Sequence, residues 1–276
     1  MRNVSRLIAS LAMLWCLGVS AAQAQNAERA EALLRIVGID AFLDSFSAEL
    51  TDADNPMAGS FGDGSDAWVL AARQHFPSDE MFSDMIALFE GAFEDDELEQ
   101  LFAFYESPLG LRVTGLEVAS QVPEEADRVE AEGAEILAEL IRDESPRLAI
   151  YEEMIDALSA IDTGLALAMN LNFAVMTGMS GAGDAPFSLG EGDILALIES
   201  QRGAMEAAIR EQLYVSLAFT YAPLSDEEAQ DYTDFLATDA GRGFYRRLNG
   251  SVEEIMQVRA RAFGARLVEL QAGQSL

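Results

Sequence analysis

One stretch of this chain occurs twice, and that repetition constrains its fold more than any other feature. Met81 to Leu116 aligns without gaps on Gln212 to Arg247 at an offset of 131 residues. Within it FEDDELEQLFAFYESPLG faces LSDEEAQDYTDFLATDAG, so that Asp95, Glu97, Phe104 and Gly110 coincide with Asp226, Glu228, Phe235 and Gly241. Leu101 faces Tyr232 and Val113 faces Phe244. Each copy follows a Gly-rich segment and precedes a further amphipathic stretch, so the spacing predicts one helical unit laid down twice.

The period inside the repeat is helical. Leu98, Leu101, Phe102, Tyr105, Leu109, Val113 and Leu116 recur at three- and four-residue steps. Leu33, Leu34, Val37, Ala41 and Phe42 follow the same rule, as do Ile136, Leu137, Leu140 and Ile141, and then Ile194, Leu197 and Ile198. No comparable alternation suggests strands. About eight to ten helices are expected, divided by an Asp- and Gly-rich segment from Asp52 to Asp66 and a Gly-rich one from Thr177 to Asp193. The expected fold is all-α: a helical bundle of two tandem, related halves, 25–145 and 146–276.

The N-terminus reads as a signal peptide over 1–24. Arg2 and Arg6 precede an apolar run from Leu7 to Val19, and Ala22 and Ala24 form an A-x-A site, which predicts cleavage between Ala24 and Gln25. The expected location is the periplasm. Cys16 is the only cysteine and falls inside this segment, so the mature chain has no thiol and must hold together by core burial. The mature chain would carry 15 arginines against 48 carboxylates and no lysine. Such a field repels phosphate backbones and anionic lipid, so nucleic acid is not an expected partner.

The residues FYESPLG, Phe104 to Gly110, following an acidic helix start, resemble the bacterial extracytoplasmic family called domain of unknown function 2059. Arg112 stands where that family has a basic residue. The second copy departs from the pattern, with Leu236 for Tyr and Thr238-Asp239 for Ser-Pro, though Gly241 and Arg242 remain. The resemblance implies a helical periplasmic protein and brings no activity with it. The motif also has a physical reading of its own. Ser107 would cap a new helix and Pro108 would occupy its first turn, making a kink between two helices. Thr238 and Asp239 would do the same in the second copy. Gly110 and Gly241 would admit a close helix approach, and Phe104, Tyr105 and Phe235 would fill the angle. Ser225 to Glu228 reads as a capping box.

Chemistry is sparse. His75 is the sole histidine, so a clustered imidazole zinc site cannot form, and no G-x-S-x-G elbow accompanies it. Asp52, Asp54, Asp63 and Asp66 supply the oxygen ligands that calcium favours, but not the twelve-residue loop spacing, and a solvated linker is the expectation. No cofactor, metal site or catalytic set is expected. The nearly uncharged segment Ile161 to Met179 holds Leu165, Leu167, Met169, Leu171, Phe173, Val175, Met176 and Met179 and reads as a helix buried all round, not as a membrane span. A Met-rich groove for an apolar partner would lie here. The expected role is a non-enzymatic binding module for an unknown protein or apolar ligand, as a monomer or weak homo-oligomer. The alternative is a hydrolase-type enzyme using carboxylate or Tyr groups.

Overall fold

A computed structural model describes residues 27–52, 65–181 and 189–274, which are helical with no strand among them. The signal segment 1–24, the Ala24–Gln25 cleavage site, residues 53–64 with Asp54 and Asp63, and residues 182–188 lie outside the described residues; the ends of the second Gly-rich segment, expected as a loop, are helical at 177–181 and 191–193. Helix α1 (27–36) turns through Gly38 in the left-handed region (φ 76°) into α2 (Ile39–Thr51). Then come α3 (Ser65–His75), α4 (Ser78–Phe89), α5 (Asp95–Tyr105), α6 (Pro108–Ser120), a short 3-10 turn (Pro123–Glu125) and α7 (Ala126–Arg142). The second part holds α8 (Arg147–Leu158), α9 (Ala160–Gly181), α10 (Glu191–Thr220), α11 (Asp226–Leu236) and α12 (Asp239–Gln274).

Local chemistry sets these boundaries. In α5 the Glu97 carboxylate accepts the Glu94 backbone N–H at 3.1 Å; in α11 Glu228 accepts that of Ser225 at 2.8 Å while Ser225 Oγ accepts the Glu228 N–H at 3.2 Å. Two kinks follow. Ser107 Oγ accepts the Gly110 N–H at 3.0 Å and Pro108 opens α6; Thr238 Oγ1 accepts the Gly241 N–H at 3.0 Å and Asp239 opens α12. After the first kink the path breaks again near Pro123, since proline cannot donate to a continuing helix. After the second it runs unbroken for 36 residues.

Two apolar cores result, and each draws on residues from both sides of position 145. The first gathers Leu33, Leu34, Trp68, Met85, Phe89 and Tyr105 with Phe244, Phe263 and Leu267 of α12. Trp68 meets the Phe263 ring edge-on at 4.8 Å between centroids. The second gathers Val113 of α6 with Tyr151, Met154, Tyr221, Tyr232 and Leu236. Thus α12 lies along α3 and α4, while α7 lies along α10. Ion pairs tie the two repeated stretches together: Arg112 bonds Glu228, and Arg247 bonds Glu97 at 3.3 Å.

One expectation is corrected. Helix α9, expected to be buried all round, packs most closely on α12 and also along α10, and leaves Asp162, Ala166 and Asn172 exposed. Gly178 abuts the α12 backbone at Arg261 and Ala265, and Gly264 of α12 abuts the backbone of Val175. Leu165, Ala174, Gly178 and Met179 are buried, whereas Leu167, Met169, Leu171, Phe173, Val175 and Met176 are half-buried. Apolar composition measured the stickiness of this helix, not the number of its neighbours. Among the described residues it is the one helix long and apolar enough to cross a bilayer, by length and composition alone.

Candidate functional site

The residues singled out by the repeat form the junction of the molecule. Phe104 and Phe235 stack nearly parallel, with centroids 3.7 Å apart and planes at 4°. Tyr105 is fully buried and edge-on to Phe235. Ser107, Pro108 and Gly110 make one corner, and Thr238 and Gly241 the other. The close approach at Gly110 and Gly241 is to the helix just ended, not to a separate one. A Cβ at Gly110 would run into the Phe104 carbonyl oxygen and the Tyr105 Cα, and one at Gly241 into the Phe235 carbonyl and Leu236. Arg112 reaches across to the Glu228 carboxylate and the Pro223 carbonyl oxygen. These groups hold helices; none of them converges on an open space.

What the corners do position is a buried polar cluster that sequence reasoning missed. The Tyr105 hydroxyl donates to that of Tyr245 at 3.2 Å, which lies 3.1 Å from the hydroxyl of Tyr232. Tyr232 donates to Glu117 Oε1 at 2.8 Å, and Tyr221 donates to the same oxygen at 2.5 Å. Four phenols and one carboxyl are therefore joined in a single chain of hydrogen bonds, contributed by α5, α6, α11, α12 and the residue following α10. Burial pushes the Glu117 carboxyl up from its ordinary value, opposed by the bonds from Tyr221 and Tyr232. Burial likewise pushes Tyr105, Tyr221, Tyr232 and Tyr245 up, with the Glu117 charge adding to the effect on each. The phenols therefore stay protonated donors at neutral pH. No arginine pairs with Glu117 among the described residues, although arginines pair with carboxylates elsewhere in the molecule.

Glu117, Tyr221, Tyr232 and Tyr245 lie in the wall of a cleft of about 510 Å³ at the centre of the bundle. The rest of that wall is mostly apolar, with Phe42 from α2, Val129 from α7, Met154 from α8, Leu167 from α9, Leu217 from α10 and Leu248 from α12. A pocket of this size, apolar with a few convergent polar groups, has the make-up of a small-molecule site. A wider groove of about 920 Å³ between α7, α8 and α10 is rimmed by Glu144, Glu152, Glu206 and Glu211. It carries no comparable buried polar cluster.

The other candidates fall away from the cleft. His75 ends α3, where its backbone carbonyl accepts a bond from Arg259. Burial, then the charges of Arg266 and Arg259, hold its imidazole below the ordinary value. No group of three or more His, Cys, Asp or Glu residues able to hold a metal occurs among the described residues. The cluster did leave one signal in the sequence: Glu117 follows Leu116 and stands four residues after Val113, a carboxylate on the edge of an apolar stripe.

Comparison with curated proteins and with solved structures gave no match. The model of one family, described as an uncharacterized protein conserved in bacteria, domain of unknown function 2059, matches residues 79–139, which run from α4 through the Ser107–Pro108 corner into α7. That span, over which the chain is similar to domain of unknown function 2059, supplies Tyr105 and Glu117 to the cluster.

Proposed function

We propose that this is an exported, periplasmic, non-enzymatic binding protein that holds a small apolar ligand in the central cleft. The observation that carries the reading is the combination, in one cavity of about 510 Å³, of apolar walls from six helices with a hydrogen-bonded Glu117–tyrosine cluster. Apolar walls supply affinity through burial, and a few fixed polar groups supply orientation. The rival reading, an acid–base enzyme, would use the same carboxyl. It is disfavoured because Glu117 is a lone convergent carboxyl and its phenol neighbours are pushed away from neutrality. The charged start and the A-x-A site at Ala24 support export.

A duplication belongs to the same proposal. Supporting it, Glu97 and Glu228 hold equivalent capping positions, Asp95 and Asp226 each receive an arginine from an earlier helix, and each kink carries a hydroxyl cap. The cleft would then be built where two related units exchange helices. Native mass spectrometry of the protein expressed with its own N-terminal segment, and purified from the periplasm, tests the binding reading. A single small-molecule adduct, lost when Ser216→Trp fills the cleft wall, is expected. An adduct retained equally by that variant would overturn the assignment to the cleft.

A further inference from the structure

We propose that the ligand is an amine: an apolar body whose ammonium group sits against the Glu117 carboxylate, among the rings of Tyr221, Tyr232 and Tyr245. The inference rests on the binding reading above and names the chemistry of its ligand.

Glu117 is set into an apolar cavity without a cation. Its Oε1 accepts two phenol donors, which orient the carboxyl but bring no positive charge. A half-buried carboxylate left in that state is costly, and proteins ordinarily pair it with arginine or lysine. This chain has no lysine, and no arginine among the described residues reaches Glu117: Arg112 pairs with Glu228, Arg147 with Asp226, Arg242 with Asp239 and Arg247 with Glu97, while Arg246 is exposed on the surface. A ligand cation would therefore complete a pair that the protein leaves half built.

The surroundings fit the same group. Tyr221 and Tyr232 meet at 61° with ring centroids 5.8 Å apart and turn their hydroxyl ends to the carboxyl, while Tyr245 bonds the Tyr232 hydroxyl, so the carboxyl stands in a corner lined by aromatic side chains. Aromatic rings attract cations over their faces, so an ammonium paired with the carboxyl and lying beside these rings would add that attraction to the ion pair. The formal net charge of −31 raises the local concentration of cations and repels fatty acids and other anionic amphiphiles. The remaining walls, Phe42, Met154, Leu167 and Leu217 among them, would take the hydrocarbon.

Three ligands of equal chain length separate the possibilities: dodecylammonium, dodecanol and dodecanoate, each competed against a neutral fluorescent probe. Ionic strength is set near 0.5 M so that adsorption to the acidic surface is screened. Parent protein should bind the amine about tenfold more tightly than the alcohol, the factor that one charge-assisted hydrogen bond contributes, and the carboxylate weakest of all. Glu117→Gln keeps an oxygen for the two phenols and removes the charge; it should erase the preference for the amine over dodecanol. Dodecanoate binding as tightly as the amine, or an unchanged preference in Glu117→Gln, overturns the amine proposal alone. Failure of all three to displace the probe from parent protein overturns the cleft-binding reading itself.

Discussion

The same chemical change, Gly→Ala, should have opposite effects at two helical positions. At Gly110 the added Cβ has no room: its three nearest neighbours are the Phe104 carbonyl oxygen and carbon and the Tyr105 Cα, all backbone. Backbone cannot swing aside as a side-chain tip does, so the corner between α5 and α6 must open and disturb the Phe104–Phe235 stack. Overpacking of this kind costs about 1–3 kcal/mol, and a backbone clash belongs at the upper end. Against it stands the gain of about 1 kcal/mol from replacing glycine in a helix. The net expectation for Gly110→Ala is a loss of about 2 kcal/mol. Gly203 lies in α10 with nothing within 4 Å of the added methyl, so only the propensity term remains and Gly203→Ala should stabilise by up to about 1 kcal/mol. Midpoints should then differ between the two variants by several degrees, at about 2–4 °C per kcal/mol for a chain of this size. Thermal and urea unfolding of both variants beside the parent measures this. A Gly110→Ala protein as stable as Gly203→Ala would refute the account of the corner.

Two further outcomes follow from buried charge. Arg147 is 8% exposed and donates to the carbonyl oxygens of Tyr221 (3.1 Å) and Leu224 (2.8 Å) as well as to Asp226. Arg147→Met should therefore lose about 3 kcal/mol in denaturant unfolding, through stranded carbonyls. Asp226→Asn should lose under about 1 kcal/mol because that side chain is largely exposed. Equal losses would contradict this division. For Glu117 the pKa is raised on folding by burial, so the folded state binds the proton more tightly and stability falls as pH rises from the ordinary carboxylate range through the raised folded value. The groups facing it are the phenols of Tyr221, Tyr232 and Tyr245, which stay neutral there, with no cation among them. Ligand-free Glu117→Gln should thus be more stable than parent at pH 7 and lose that advantage in acid; urea midpoints across pH, with the advantage persisting in acid, would contradict it.

The parts of the fold legible in the sequence are those decided within a few residues. A Ser-Pro pair after an acidic, apolar-striped run starts a new helix wherever the chain lies, and helical periodicity alone gave the all-α class. Cap and kink are local chemistry, so Ser107 and Pro108 could be assigned before any tertiary contact was known, whereas the neighbour that crowds Gly110 could not. The burial of α9 could not, because hydropathy says that a helix prefers apolar surroundings and not how many neighbours the other helices leave for it. The cluster was harder still. Tyr105 and Tyr245 bond across 140 positions and Tyr221 and Glu117 across 104, distances that no spacing rule covers. Only the carboxylate at the edge of the Val113–Leu116 stripe hinted at it, and in a chain of 48 carboxylates that hint was submerged.

The central claim is that the cleft lined by Glu117 and the tyrosines binds an apolar ligand. A titration of purified protein with N-phenylnaphthylamine, a neutral probe that fluoresces in apolar surroundings, tests it most directly. Parent protein should show saturable one-to-one binding, and Ser216→Trp, with an unchanged unfolding midpoint, should bind at least about tenfold more weakly because the ring occupies the space the probe needs. Equal binding by both folded proteins, or no saturable binding by either, would contradict the account.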